Sequence, residues 1–153
     1  MGGHVLVAEG SENLRSTHAS ALSAAGYRVS VAADGIEALD IIARSKPDLI
    51  LLDLGLPGMS GWEILSSIQT ISDWCDTDVI TISAGKRSSE VAAAWRHGCS
   101  WSMTRRISLK DLLLVVSCLL GARHMRGAQQ DAPPAQHPHA ITQEAPLAFA
   151  SAP

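Results

Sequence analysis

The run Pro47-Asp48-Leu49-Ile50-Leu51-Leu52-Asp53, followed by Leu54-Gly55-Leu56-Pro57-Gly58-Met59-Ser60-Gly61, constrains this chain more than any other stretch. Its centre is continuously apolar, a proline opens it, and an acid and a cluster of turn residues close it. A run of that length between turn residues reads as a strand buried on both faces. Such strands lie in parallel sheets covered by helices, where ligands bind beyond the carboxyl ends of the strands. Asp53 stands at such an end. A carboxylate there caps the next loop, ligates a metal, or acts as a nucleophile.

From Gly3 to about Arg126 the pattern around this run alternates. Val5 to Ala8 reads as a strand, and Glu12 to Ala25 as an amphipathic helix with Ser11 as N-cap and Gly26 as its C′ residue. Tyr27 to Ala32 reads as a second strand, after which Asp34-Gly35 turns into a helix from Ile36 to Ser45. Ile36, Leu39, Ile42 and Ala43 give that helix one buried face. The Asp53 strand precedes a helix from Trp62 to Ile71. Asp78 to Ser83 is a fourth strand, and Ser89 to His97 a helix ended by Gly98. Ser100 to Thr104 is a weak fifth strand, and Ser108 caps a last helix from Leu109 to His124. Five strands alternating with five helices specify a doubly wound α/β sandwich with a central parallel sheet, right-handed crossovers placing helices on both faces.

The composition excludes several classes of function. With 153 residues, 46% of them hydrophobic and 18% charged, the chain suits one domain with its own core. A net charge of −3 gives no basic footprint, so nucleic acid is not an expected partner. The longest apolar candidate, Leu112 to Leu120, is about half the length that crosses a bilayer, so no membrane association is expected. Met1-Gly2-Gly3-His4 lacks the marks of a secretory signal. Cys75, Cys99 and Cys118 are odd in number and scattered, which suggests neither a disulfide framework nor a zinc site. A cytoplasmic protein is the expectation. The stretch 127–153 holds five of the seven prolines and reads as a disordered Pro/Ala/Gln-rich tail, with His137 and His139 as solvated side chains.

Leu51-Leu52-Asp53-Leu54-x-Leu56-Pro57-Gly58-Met59-Ser60-Gly61, the run Asp34-Gly35-x-Glu37-Ala38-Leu39, and Gly26-Tyr27, in this order, resemble the receiver domain of bacterial two-component response regulators. The resemblance covers roughly residues 3–124. It implies a flavodoxin-like (βα)5 fold and a phosphorylation switch. The position of the family's phosphoacceptor, which takes a phosphoryl group from a phosphohistidine on a sensor kinase, matches Asp53. A carboxylate attacking a phosphoryl group brings negative charge against negative charge, and the family relieves this with Mg²⁺. That ion takes six oxygens in near-octahedral geometry. The matching ligands here are Glu9, Asp53 and the backbone carbonyl of Gly55. The family's phosphate-binding hydroxyl matches Ser83, and its basic residue after the fifth strand matches Arg105.

Three positions depart from the family pattern. The acidic pair after the first strand falls on Glu9-Gly10, so a direct metal ligand is missing. Losing one unit charge about 4 Å from a cation removes roughly 4 kcal/mol of attraction near a protein surface, which weakens the expected Mg²⁺ site. The Lys-Pro pair falls on Arg105-Arg106, and without proline the bond is expected to be trans. Arg105 could stand in for part of the lost cation, because its charge is permanent and its fork grips phosphate oxygens. The aromatic switch position reads Ser102, with Trp101 beside it.

Two functions remain open on these residues. One is a phosphoacceptor taking a phosphoryl group on Asp53, with no enzymatic turnover beyond its own phosphorylation and dephosphorylation. The other is a pseudo-receiver that binds partners without phosphorylation. A flavodoxin relative fits less well, because Glu9-Gly10-Ser11-Glu12 places two acids where a flavin phosphate would sit. The expected partner is a sensor histidine kinase or phosphotransfer protein. With no output domain in the sequence, signalling is expected through protein contacts. The resemblance adds a possible homodimer through the fourth helix, fifth strand and fifth helix. Leu112, Val115, Val116 and Leu119 are expected to cover the sheet, leaving Leu113, Leu114 and Leu120 outward. Val91 and Trp95 are expected to pack, and His4, His18 and His97 are too isolated to be phosphotransfer residues.

Overall fold

Strands and α-helices alternate along the described residues: β1 (His4–Ala8), α1 (Glu12–Ala24), β2 (Arg28–Ala32), α2 (Gly35–Ser45), β3 (Leu49–Asp53), α3 (Gly61–Thr70), β4 (Asp78–Ser83), α4 (Ser88–Arg96), β5 (Trp101–Thr104) and α5 (Leu109–Gln130), with a short 3-10 turn (Ser72–Trp74) after α3. The structure, a computed structural model, describes residues 2–130 apart from Cys75, Lys86 and Arg87. All strand pairs are parallel, and the sheet order is β2-β1-β3-β4-β5. This is the flavodoxin-like doubly wound arrangement expected from the sequence.

The order follows from burial. β1, β3 and β4 are buried at every residue and fill the middle, whereas β2 and β5 are partly exposed and form the edges. Alternate residues of the central strands supply two core layers. Leu6, Ala8, Ile50 and Leu52 face α2 and α3, where Ala38, Ile42, Ile64, Leu65 and Ile68 meet them. Val5, Val7, Leu49 and Leu51 face the other side, where Leu22 of α1 and Leu112, Val116 and Leu120 of α5 close the layer.

Helix starts obey local signals. Ser11 and Asp34 accept hydrogen bonds from the amides of Leu14 and Glu37. Ser60 and Glu63 form a reciprocal capping box at α3 that the sequence reading did not single out. Gly26 has φ +93°, the left-handed conformation expected of the residue that ends α1. No cis peptide bond occurs among the described residues.

Several expectations are corrected in detail. The composition boundary near Gly127 falls inside α5, which continues to Gln130. Ala128, Gln129 and Gln130 are good helix formers, and Arg123 and Arg126 tie the helix to Asp48 and Asp78. The remainder of the expected tail lies outside the described residues. Leu120 is not outward but 4% exposed, and Leu113 is half-buried against the core. The stripe that meets the sheet is Leu112, Val116 and Leu120, spaced by four, so of the three outward candidates Leu114 alone is exposed. Trp95 does not enter the core; it is exposed and packs edge-to-face on Trp101, with ring centroids 6.0 Å apart. Val91 is half-buried, and Ala94 is the residue of α4 that reaches the core.

His4 and His18 are buried, and burial lowers the pKa of each below its ordinary value, with Arg28 adding to the effect at His4. The folded chain therefore takes up a proton at either less readily than the unfolded chain, which protonates them near 6.5. Their contribution to stability is complete above that value and is lost as the pH falls through the lowered folded values. His18→Gln is expected to flatten the decline of the urea midpoint between about pH 7 and 5. An unchanged slope in the variant would contradict this assignment.

Candidate functional site

Strand register determines what stands at the carboxyl edge of the sheet. Ala8 lies opposite Leu52, Asp53 opposite Ile82, and Ser83 opposite Thr104. Glu9 and Arg105, each one residue past its strand, therefore emerge beside Asp53 and Ser83. Backbone bonds continue the sheet and hold these positions: the Glu9 amide donates to the Ala32 carbonyl at 3.1 Å, and the Arg105 amide to the Ser83 carbonyl at 3.1 Å.

Asp53 is 1% exposed. Its Oδ1 accepts from the Gly55 amide at 2.9 Å, and its Oδ2 accepts from Arg105 Nη2 at 2.8 Å. The same Nη2 lies 3.8 Å from Glu9 Oε1, which accepts from the Ser11 amide at 2.9 Å. One guanidinium thus stands within reach of two buried carboxylates. The hydrogen bond to Asp53 raises the pKa of Arg105 further, so its charge is permanent. Burial pushes the Glu9 carboxyl above the ordinary carboxylate range, and the Asp53 charge adds to this, while the Ser11 amide and Arg105 oppose it.

Three polar atoms here are buried and find no hydrogen-bond partner among the described residues: Glu9 Oε2, Ser83 Oγ and Arg105 Nε. Buried polar groups are ordinarily paired, so these atoms are free to meet a ligand or water. Gly10 has no side chain to offer. A Cβ there would lie 3.1 Å from Pro57 Cδ and 3.8 Å from Asp53 Oδ2, so position 10 faces both Asp53 and Pro57.

All six residues singled out in the sequence, Glu9, Gly10, Asp53, Gly55, Ser83 and Arg105, meet at this edge. Gly55 does so through its amide. Arg15 was missed: its Nη1 donates to the Glu9 carbonyl at 3.0 Å and ties α1 to the site. The available signal was its place one turn into the helix that follows the acid. Ser102, at the expected aromatic switch position, accepts from Thr81 Oγ1 at 3.0 Å.

The residues present do not match the full ligand set that the resemblance implies for a divalent cation. Mg²⁺ takes six oxygens, several of them from water and the rest from one or two carboxylates and their neighbours. Position 10 supplies none, and Asp53 and Glu9 already face Arg105. Among the described residues, no group of three or more His, Cys, Asp or Glu side chains is placed to hold an ion.

An acid closing the central strand of a 2-1-3-4-5 parallel sheet, with a hydroxyl and a base from the next two strands, defines a receiver-type site on a flavodoxin-like fold. The model of the response regulator receiver domain family matches residues 5–117, and the chain belongs to that family, the receiver domains of two-component signalling. Response regulator MprA of Mycobacterium sp. (strain KMS) is 31% identical over 116 residues, covering 76% of this chain and 50% of the relative. The MprA protein of Mycobacterium leprae is 29% identical over the same length. The chain spans about half the length of these relatives. Among solved structures, the receiver domain of Francisella response regulator 1452 is similar with a TM-score of 0.74 and 25% identity, covering 78% of this chain and 98% of the other. NtrX from Brucella abortus has a TM-score of 0.78 and 25% identity, covering 86% of this chain and 29% of NtrX.

The pairing of Asp53 with Arg105 has an energetic consequence. Removing one partner of a fully buried ion pair costs about 3–5 kcal/mol. The Arg105 side chain is 36% exposed, so water can reach Asp53 once it is gone. Arg105→Gln is expected to lower the unfolding free energy by about 1–3 kcal/mol in urea titration. Adding Asp53→Asn should restore part of that loss, and simple additivity of the two substitutions would count against a coupled pair.

Proposed function

We propose that this receiver domain is a phosphoacceptor switch: Asp53 takes a phosphoryl group from a phosphohistidine on a sensor histidine kinase or phosphotransfer protein. The observation that carries this reading is the environment of Asp53. Its carboxylate closes β3, one oxygen is fixed by the Gly55 amide and the other by Arg105, and the Ser83 hydroxyl is buried nearby without a partner among the described residues. A carboxylate oxygen forms the new P–O bond, the N–P bond of the phosphohistidine breaks, and the imidazole leaves and takes up a proton from water. Ser83 Oγ donates to a phosphoryl oxygen, and Arg105 moves from the carboxylate to the phosphoryl group. The chain turns over nothing beyond its own phosphorylation and dephosphorylation.

The partner surface in this reading is α4, β5 and α5, across which the chain pairs with a second copy or docks a downstream protein. Trp95, Trp101 and Leu114 are exposed on these elements, and Leu114 is 60% exposed. Among the described residues, no helix is long and apolar enough to cross a membrane. The formal net charge of −3 gives no overall attraction for nucleic acid, and we read the protein as cytoplasmic.

A second reading, a pseudo-receiver that binds partners without phosphorylation, draws on Gly10 and on Ser102, whose hydroxyl is already paired with Thr81. Intact-protein mass after incubation with acetyl phosphate separates the two. A labile gain of one phosphoryl group that is absent from Asp53→Asn is expected. No gain in the unsubstituted chain would favour the pseudo-receiver.

A further inference from the structure

A receiver that has lost a metal ligand still has to overcome the repulsion between a carboxylate and a phosphoryl group. The site contains one group that could do so. Arg105 reaches across the sheet edge from the end of β5 and places Nη2 2.8 Å from Asp53 Oδ2 and 3.8 Å from Glu9 Oε1. A cation has to stand within reach of both carboxylates to serve them, and the guanidinium does. It is also not consumed by the contact with Asp53. Arg105 carries five N–H donors in a rigid fork, and its buried Nε has no partner among the described residues.

Position 10 completes the argument. The family pattern would place an acid there, and a Cβ at position 10 lies 3.8 Å from the oxygen of Asp53 that Arg105 now holds. Glycine leaves that direction empty, and Pro57 lies close enough that even a Cβ would sit 3.1 Å from its ring.

We propose that Arg105 supplies from within the chain the positive charge for phosphoryl transfer to Asp53, so that the transfer proceeds without a divalent cation. This rests on the reading of Asp53 as phosphoacceptor. With acetyl phosphate as donor, an Asp53 carboxylate oxygen forms the P–O bond, the bond from phosphorus to the acyl oxygen breaks, and acetate leaves with the electron pair. No proton or further co-reactant is required. Arg105 offsets the carboxylate charge before the donor arrives and then binds the phosphoryl oxygens, as a preorganised donor aimed at the charge that develops.

The test compares the full chain in excess EDTA with the full chain in Mg²⁺, both with acetyl phosphate and both followed by intact mass. The proposal expects the same labile gain at the same rate in both. It also expects Arg105→Gln to slow the EDTA reaction by about 100-fold or more. Arg105→Lys, which keeps the charge and guards against loss of folding in the glutamine variant, should retain a measurable part of the EDTA rate. Isothermal calorimetry with MgCl₂ supplies a readout independent of phosphorylation: no saturable binding is expected in the unsubstituted chain. A gain seen only with Mg²⁺, or saturable Mg²⁺ binding abolished by Asp53→Asn, overturns the proposal and leaves the phosphoacceptor reading standing. Equal EDTA rates for the unsubstituted chain and a folded Arg105→Gln also overturn it. No gain in either condition removes the phosphoacceptor reading, and the proposal with it.

Discussion

A carboxylate that is 1% exposed at the end of a strand buried on both faces has to be paired, and Arg105 pairs it. Burial of an unpaired ion costs several kcal/mol, enough to shift its protonation or unfold the edge around it. The pairing imposes conditions on the rest of the fold. β3 must be central, so that Asp53 emerges between β1 and β4. β5 must keep its register with β4, because Arg105 reaches Asp53 only if Thr104 stands opposite Ser83. The chain between the two partners, which stand 52 positions apart with α3, β4 and α4 between them, is in this sense the scaffold of one ion pair.

The neighbours of that pair explain the departures from the family pattern as a set. Glu9 keeps one oxygen on the Ser11 amide and faces Arg105 with the same oxygen. Gly10 removes a negative charge from an edge that already holds two carboxylates against one guanidinium, and it leaves room for Pro57. Ser102, bonded to Thr81, replaces a bulky ring with a small hydroxyl inside the β4–β5 pair. An arginine in place of lysine fits the same logic, since its planar group can address two carboxylates and still offer donors elsewhere.

Much of the fold was legible from the residues because its signals are local. The apolar run into Asp53 announced the central strand, Gly26 and Gly98 announced helix ends, and Ser11 and Asp34 announced helix starts. The site was legible as a set of positions through the resemblance, and all six meet at one edge. What was not legible depends on distance. The reach of Arg105 onto Asp53 is a contact across 52 positions, and nothing local indicates it. Which face of α5 meets the sheet depends on how the helix crosses it, so Leu120 turned inward and Leu113 partly so against the expected stripe, while Leu114 faces outward as expected. Trp95 packs as its type suggested, but on Trp101 at the surface, because Ala94 takes the buried position of α4. The end of α5 was misplaced because composition changed before the helix did.

The pairing of Asp53 with Arg105 is most directly tested by observing the guanidinium itself. Nitrogen-15 NMR of arginine-labelled protein reports rotation about the Cζ–N bonds, which slows when the group is held by a carboxylate. The account predicts an Arg105 guanidinium with slowed rotation and resolved Nη signals, assigned by its disappearance in Arg105→Lys and returned to fast exchange by Asp53→Asn. An Arg105 guanidinium that rotates as freely as exposed arginines in the unsubstituted chain would contradict it.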